Sequence, residues 1–493
     1  FGSERKADDF NDDALGRALD ALYAADPEKV YIQAVQGIQK AIPNLSLDRL
    51  HYDTTSFVYT GQPKEEDDRL QIVRGYSKDH RHDLPQIKFG IGTNAEGIPL
   101  YGETLDGNQD DKKWNAHFLK ALTNWFSPET LANAIFIADS AFVTKENLQE
   151  LKRDDEPDLR FLSRLPENFK LAGDLKEKAW EQDEWEKVGT LADGKDAAIY
   201  QISRAKAKLD GEAYRFLIVH SNKLDGRKQK SIDAQLEKEQ QKWEKDKEKL
   251  EKKDFACERD ARDALSEFIK DHKGSHTIEG TIVPEQRAGK REKRGRPKKG
   301  ETPPSPVTVY TIQLTIHAPS EEQLERLRQQ ASTFILVTNE MNEQELPDIE
   351  LLRAYKGQQT VENRFRFLKN PYFVGRVFLE KPKRVEAFAY VMMLSVMVYS
   401  VFEFLIRKNM ENEDEPLDLM GGSRKSFRPT GEAVLEILDT MDVVHFKQED
   451  KLLKRVLPED GKGRVSRILN LLGMNEAVFT QPQDEKGVEK TSK

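Results

Sequence analysis

Cysteine is almost absent from this chain: Cys257 stands alone among 493 residues. One thiol closes no intramolecular disulfide, and no group of Cys and His has zinc-site spacing. Neither an oxidised scaffold nor a structural zinc is indicated, and any metal must use oxygen ligands. Long apolar runs are also scarce. The most apolar, Ala387 to Phe402, is bracketed by Glu386 and Glu403 and falls short of the roughly 20 residues that span a bilayer. It reads as a buried core helix, and no membrane partner is expected. The opening residues, FGSERKADDF, carry neither an initiator Met nor an apolar signal core, as in a fragment whose natural N-terminus lies upstream. Excess positive charge is missing too: the formal net charge is −9, which argues against nonspecific nucleic-acid binding by the whole surface. With 33% of residues charged and 37% hydrophobic, the composition fits a soluble, cytoplasmic protein with a long solvated insert.

What is present divides into segments. Residues 12 to 42 read as two short helices broken at Asp26-Pro27, an N-terminal helical segment over 1–44. LDRLHYDTTSFVYT then reads as a strand, and QIKFGIGTNAEGIPLYGETL as two more joined by a turn at Asn94 to Gly97. A helix from about Lys112 to Phe126, the buried strand NAIFIAD ending at Asp139, a further helix and the strand RFLSRL complete a β-β-β-α-β-α-β order. That order predicts an α/β fold, a mixed sheet flanked by helices, over 45–165. An insertion over 166–332 contains strand-like pieces (AAIYQIS, YRFLIVHS). It then reads as one long charged helix from Ser231 to Asp271, either projecting or half of a helical hairpin, because Leu236, Trp243, Leu250 and Cys257 lack a partner seam. A basic Pro/Gly loop over 288–306 and the strands TVYTIQLTIHA and TFILVTNE follow. The first domain resumes over 333–411, and 412–493 is a C-terminal helical region and tail.

Three acids stand out by setting. Asp53 interrupts a β-branched strand, Asp139 ends a strand expected at the sheet centre, and Glu362 lies on the helical stretch YKGQQTVENRFRFLK. One reading makes the aspartates strand-end caps and Glu362 a solvated helix residue. The other makes the three a metal site. Like charges about 4 Å apart cost on the order of 4 kcal/mol per pair at an effective dielectric of 20, and a divalent ion reverses the sign. Oxygen ligands suit Mg²⁺, and two such ions roughly 3.5 to 4 Å apart activate a water or 3′-hydroxyl against a phosphodiester. Seven residues of α-helix turn 700°, so Tyr355, Glu362 and Lys369 are expected on one stripe with Gln358 close by, beside an apolar stripe of Val361, Phe365 and Leu368.

That spacing, Tyr, two residues, Gln, three, Glu, six, Lys, resembles the Y-(2)-R-(3)-E-(6)-K signature of DDE-type transposases of bacterial insertion sequences. HYDTTSF, GYSKDHRHDLPQIKFGI and IADSAF are similar to the blocks around that family's first and second Asp. The resemblance covers about 45–165 and 333–410. It implies a ribonuclease H-like catalytic domain interrupted by a β-rich insertion, with Asp53, Asp139 and Glu362 as catalytic metal ligands for two Mg²⁺ ions, Mn²⁺ being a substitute. It also implies Tyr355, Gln358 and Lys369 as DNA contacts, double-stranded DNA (terminal inverted repeats and target) as partner, a homodimer or larger assembly on paired ends, and a bacterial nucleoid-associated location. Gln358 departs from the pattern: it keeps hydrogen bonds but loses the charge and bidentate fork of Arg, for which Arg364 or Arg366 are candidates to compensate.

Two further stretches are basic. KRGRPKK is similar to an AT-hook, with Arg294, Arg296 and Lys298 as DNA contacts, and reads equally as a solubilising loop. Gly75 to Asp83 reads as a DNA-facing or plain surface loop. Trp180, Trp185 and Trp243 in the insertion are candidates for stacking on a displaced base, with core packing as the default. Cleavage and strand transfer by a transposase is the expected function. The alternatives are an inactive transposase-derived DNA-binding protein and a simple metal-dependent nuclease.

Overall fold

The computed structural model describes residues 7–43, 45–61, 69–77, 80–153, 157–191, 196–223, 226–287, 305–370, 377–419, 424–448, 451–459 and 461–481. They divide into two units, one comprising Phe1–Pro166, Lys206–Arg215 and Val337–Lys493, the other Glu167–Ala205 and Phe216–Leu336.

The chain begins with α1 (Asp12–Ala24), whose N-terminus is capped by Asn11, and α2 (Pro27–Ala41), which carries Pro27 at its first turn. There the missing N–H costs nothing, so Asp26-Pro27 separates the two helices. Next come β1 (Arg49–Val58), β2 (Gln86–Asn94), β3 (Pro99–Leu105), α3 (Asp111–Trp125), α4 (Pro128–Asn133), β4 (Ile135–Ala138), α5 (Lys145–Glu150) and β5 (Arg160–Arg164). In the first unit the strands lie in the order β3-β2-β1-β4-β5. The pairs β1–β2 and β2–β3 are antiparallel, while β1–β4 and β4–β5 are parallel, so the sheet is mixed. The β2–β3 turn uses Asn94 and Gly97 as the sequence implies. Asn94 Oδ1 accepts from Ile98 N at 2.9 Å, and Gly97 takes φ +80°, which glycine adopts without a Cβ clash.

Every position of β2 is buried. On one side of the sheet, α3 packs Trp114 and Phe118 against Tyr52, whose ring lies 4.1 Å from that of Phe118. On the other lies the long apolar helix of the chain's second half.

In the insertion, α6 (Lys170–Gln182) precedes β6 (Glu186–Thr190), β7 (Ile199–Leu209) and β8 (Glu212–Ser221). The long charged stretch is two helices, α7 (Gly226–Glu251) and α8 (Glu258–Asp271), and not the single one expected from Ser231 to Asp271. The break has a physical cause. Phe255 leaves the helix to exchange two backbone hydrogen bonds of 2.9 Å with Tyr310, and its ring joins Leu250, Phe268 and Ile312 in a core. Cys257 then caps α8 through Asp260 N. The helices fold back on each other as a hairpin, tied by His272 Nε2 to Asp246 and by Glu239 accepting from the Ser275 and His276 amides. A strand that the sequence reading omitted, β9 (Thr277–Arg287), pairs antiparallel with β10 (Val307–His317). α9 (Glu321–Ser332) opens with a Ser320/Gln323 capping box and leads to β11 (Thr333–Thr338). The remaining strands of this part run β11-β8-β7-β6.

The first unit resumes with α10 (Asp348–Lys356), α11 (Gln359–Lys369) and α12 (Pro382–Met410). At 29 residues α12 is long and apolar enough, by length and composition alone, to cross a membrane. It packs against α1, α2, β3 and α11, and buries Glu386 and Glu403, each with an arginine. Those are the contacts of the core helix expected from the sequence. Beyond it, the hairpins β12 (Leu417–Asp418) with β13 (Lys425–Ser426) and β14 (Val444–Gln448) with β15 (Lys451–Val456) alternate with α13 (Gly431–Asp439), α14 (Lys462–Leu471) and α15 (Ala477–Thr480). Val434, Ile437, Val465 and Ile468 close a smaller core against Ile406 and Met410.

Candidate active site

Alternation along β1 sorts its side chains. Tyr52, Thr54 and Ser56 face α3, where Thr54 Oγ1 donates to Asp111 at 2.8 Å and the buried Lys88 ammonium reaches Asp111 at 3.0 Å. His51, Asp53 and Thr55 take the opposite face, toward α11, which packs on β1 and β2. The β1–β4 register pairs Arg49 with Ile135, Leu50 with Phe136 and His51 with Ile137. Two residues beyond that last pair come Asp53, still inside β1, and Asp139, the residue that follows β4. Strands are about 4.8 Å apart, so a continuation of this register would make the two acids near neighbours.

Both aspartates also bond to nearby backbone: Asp139 as a cap just past β4, Asp53 within β1 and at no strand end. Asp53 Oδ1 accepts from Thr54 N at 2.7 Å. Asp139 Oδ1 accepts from Ala141 N at 3.0 Å, and its main-chain carbonyl accepts from Ser163 Oγ at 2.7 Å. The two Asp139 bonds hold the chain where β4 ends, while Asp139 itself is exposed.

The β4–β5 register continues the row. It pairs Ala138 with Ser163, and the next step sets Arg164 beside Asp139. Sequence reading missed Arg164. RFLSRL is legible as a strand, but which of its residues comes level with Asp139 is a matter of register, which one sequence does not contain.

Glu362 projects, exposed, from the first turn of α11. The expectation of a single helix from Tyr355 to Lys369 is corrected here. α10 ends at Lys356 and α11 starts at Gln359, joined through Gly357 and Gln358. Three i→i−3 bonds tighten the junction: Gln358 N to Tyr355 O (3.1 Å), Thr360 N to Gly357 O (2.9 Å) and Val361 N to Gln358 O (3.2 Å). A 3₁₀ step turns roughly 20° more than an α step, so Tyr355 is rotated off the straight stripe. Glu362 and Lys369, both inside α11, keep theirs. Tyr355 nonetheless faces the acids. Burial pushes its phenol up, the Arg164 charge pulls it down, and the carboxylates of Asp139 and Glu362 push it up again. One phenol thus senses Arg164, Asp139 and Glu362 together.

Gln358 points at the sheet. Its Nε2 donates to the Tyr52 carbonyl at 3.0 Å, and its Oε1 lies 3.3 Å from His51 Nδ1. His51 is 1% exposed; burial pushes its imidazole down to about 4, against the Gln358 hydrogen bond that raises it. Arg364 is no substitute for a phosphate-binding arginine. It is buried, donates to Gly97 O at 2.8 Å and pairs with Glu403 at 2.9 Å. Arg366 is exposed on α11.

The other candidates separate from this row. Arg294, Arg296 and Lys298 lie outside the described residues. In the loop before β2, Ser77 N approaches His82 Nδ1 at 3.5 Å and Arg81 pairs with Asp83. Among the described residues no three Asp, Glu, His or Cys are gathered closely enough to hold a metal as they stand. In the insertion, Trp243 is 4% exposed and wedged between His272 and His276, so it is a core residue. Trp180 and Trp185 are partly buried against each other and His220.

The row can do three things chemically: supply hard anionic oxygens from Asp53, Asp139 and Glu362, supply a cation from Arg164, and offer a neutral hydroxyl donor from Tyr355. Comparison with known proteins gives this arrangement a setting. A family model described as "Transposase DDE domain" matches residues 49–398. No curated protein matches the chain. A solved structure described as a cryo-EM structure of the piggyBac transposase synaptic complex with hairpin DNA matches at 8% identity and a TM-score of 0.30, covering 72% of this chain. The chain spans 46% of that one.

Proposed function

The chain belongs to the transposase DDE-domain family, and on that footing we propose that it cleaves phosphodiesters at the ends of a mobile DNA element and joins the freed 3′-hydroxyls to target DNA. The observation that carries this reading is the shared placement of the acids. Asp53, inside β1, and Asp139, just past the end of β4, each lie two residues beyond the last pair of these neighbouring parallel strands, and one phenol senses both Asp139 and Glu362.

Asp53, Asp139 and Glu362 would hold Mg²⁺ or Mn²⁺. Their chemistry fits such an ion: all donors are carboxylate oxygens, one from within β1, one from the end of β4 and one from the facing helix. When bound, the ions supply an activated water or 3′-hydroxyl and stabilise the leaving oxygen. The remaining groups act on the DNA. Arg164 and Lys369 offer positive charge to backbone phosphates. Tyr355, kept protonated by burial and by the adjacent carboxylates, donates a hydrogen bond to a phosphate oxygen. Ser163 and the Ala141 amide hold Asp139 at its strand end, so that its position does not depend on the DNA. The mixed sheet with its interrupting insertion fits a ribonuclease H-like domain, working on paired DNA ends as a dimer or larger assembly.

The test is cleavage and joining of a duplex bearing the element's terminal inverted repeat. Activity should require Mg²⁺ or Mn²⁺ and vanish in Asp139→Asn; an undiminished mutant overturns the assignment. A sequencing gel separates strand transfer from simple cutting, since a nuclease yields no joined product.

A further inference from the structure

Gln358 stands where the family pattern has a cationic residue, yet its carboxamide is committed inward. We infer that Gln358 is a positioning residue that sets Asp53 relative to Glu362, and not a contact to DNA phosphate; this rests on the reading of Asp53 and Glu362 as metal-holding.

Three observations converge on one turn. First, Gln358 Nε2 donates to the Tyr52 carbonyl at 3.0 Å. That carbonyl lies one residue beyond the last β1–β4 pair, His51 with Ile137, so the carboxamide supplies a donor where the ladder stops. The Tyr52 carbonyl and the Asp53 nitrogen belong to the same planar peptide unit. Fixing one end of that plane fixes the direction in which Asp53 leaves it. Secondly, Gln358 Oε1 faces His51 Nδ1 at 3.3 Å. An amide oxygen only accepts, so Nδ1 carries the proton and the ring is held in that tautomer. Thirdly, the preceding Gly357 sits so close to His51 that a Cβ there would press on the ring. A Cβ there would lie 3.0 Å from His51 Cε1 and 3.0 Å from Ala354 O. The turn is seated directly on the His51 ring.

The choice of glutamine follows. The position requires one donor, for the carbonyl, and one acceptor, for the imidazole N–H, at the reach of a γ-carboxamide. A guanidinium has donors only; it cannot accept from His51 and would bring a charge against a buried ring. Gln358 also precedes Glu362 by four residues, one helical turn. A single side chain therefore ties the peptide of Asp53 to the start of the helix that carries Glu362.

The experiment uses the full chain and two variants, Gln358→Ala and the near-isosteric Gln358→Met, the second retaining shape should the first fail to fold. Mn²⁺ binding is measured by calorimetry without DNA, and duplex affinity by fluorescence anisotropy in EDTA. Loss of an outer-shell support should weaken metal binding by about ten- to a hundredfold while DNA affinity stays unchanged. Unchanged Mn²⁺ binding with a large loss of DNA affinity overturns the inference in favour of a phosphate contact. Failure of the underlying reading looks different, because the unsubstituted protein would then bind no Mn²⁺. In that case amide hydrogen exchange still decides whether Gln358 holds this peptide: the Asp53 amide should exchange faster in Gln358→Met, and unaltered exchange overturns the clamp.

Discussion

Helix α11 is held to the rest of its unit by a buried ion cluster, and breaking that cluster at Glu403 gives a quantitative test of the architecture. Glu403 Oε1 accepts from Arg364 Nη2 and pairs with Arg407 Nη1, both at 2.9 Å, and its Oε2 accepts from the Gly431 amide at 2.8 Å. The Arg364 side chain is 4% exposed and that of Arg407 29%. Glu403→Ala leaves Arg364 as a buried cation with no carboxylate, held by Gly97 O and by the Tyr399 ring 5.6 Å away, at a cost of about 3 to 5 kcal/mol. The orphaned amide at the start of α13 adds about 1 kcal/mol. Arg407 can turn to water and adds little. At about 2 °C per kcal/mol, the low end of the range and the one that suits a large domain, melting should fall by about 10 °C, read by calorimetry. The double variant Arg364→Met with Glu403→Leu removes both charges and should recover most of the loss, because a buried pair replaced by apolar groups is often neutral. A single variant within 2 °C of the parent, about 1 kcal/mol or less, or a double variant as unstable as the single, would refute the reasoning.

Other perturbations have equally definite outcomes. Gly90→Ala places a Cβ 2.3 Å from Cζ2 of the buried Trp114; overpacking of this kind should cost about 1 to 3 kcal/mol, visible as a lower urea midpoint with unchanged slope. The Arg384 hydrogen bond holds the Asp20 carboxyl down at about 2. A depressed folded pKa means that this contribution to the α1–α12 contact is present above about pH 4 and fades as pH falls toward 2. Asp20→Asn should flatten thermal stability against pH in that window, and an identical profile would count against the pairing. Arg164→Gln should weaken DNA binding and make the dependence of log affinity on log salt shallower by about 1; an unchanged slope would remove Arg164 from the interface.

Much of the fold is written in local pattern. The β-branched run of β1, the apolar run of β4, the Asn94–Gly97 turn and the Asp26-Pro27 break are each dictated by backbone chemistry within a few residues, and the structure has them where the sequence implies. The long helix of the insertion failed for the opposite reason. Nothing local stops a charged helical pattern at Asp254, and what stops it is a bridge from Phe255 to Tyr310, 55 positions along the numbering. β9 was missed beside it: its exposed and half-buried positions alternate from Thr277 to Ile282, but Gly280 and Pro284 interrupt it, residues that speak against a strand interior.

The acids divide in the same way. Their residue types and settings singled out Asp53, Asp139 and Glu362, together with the chemistry that three carboxylates imply. The seven-residue spacing placed Glu362 and Lys369 on one stripe because both lie within an unbroken helix. Register and packing are long-range quantities, and they decided the rest. Parallel ladders pair His51 with Ile137 and Ala138 with Ser163, just before the acids and Arg164, and the helix breaks at Gly357, beside His51, before Glu362. The Tyr52 carbonyl and the His51 ring, more than 300 residues away in the chain, are the partners that the Gln358 carboxamide meets. No sequence spacing encodes a hydrogen bond between those positions; only the fold brings their donors and acceptors together.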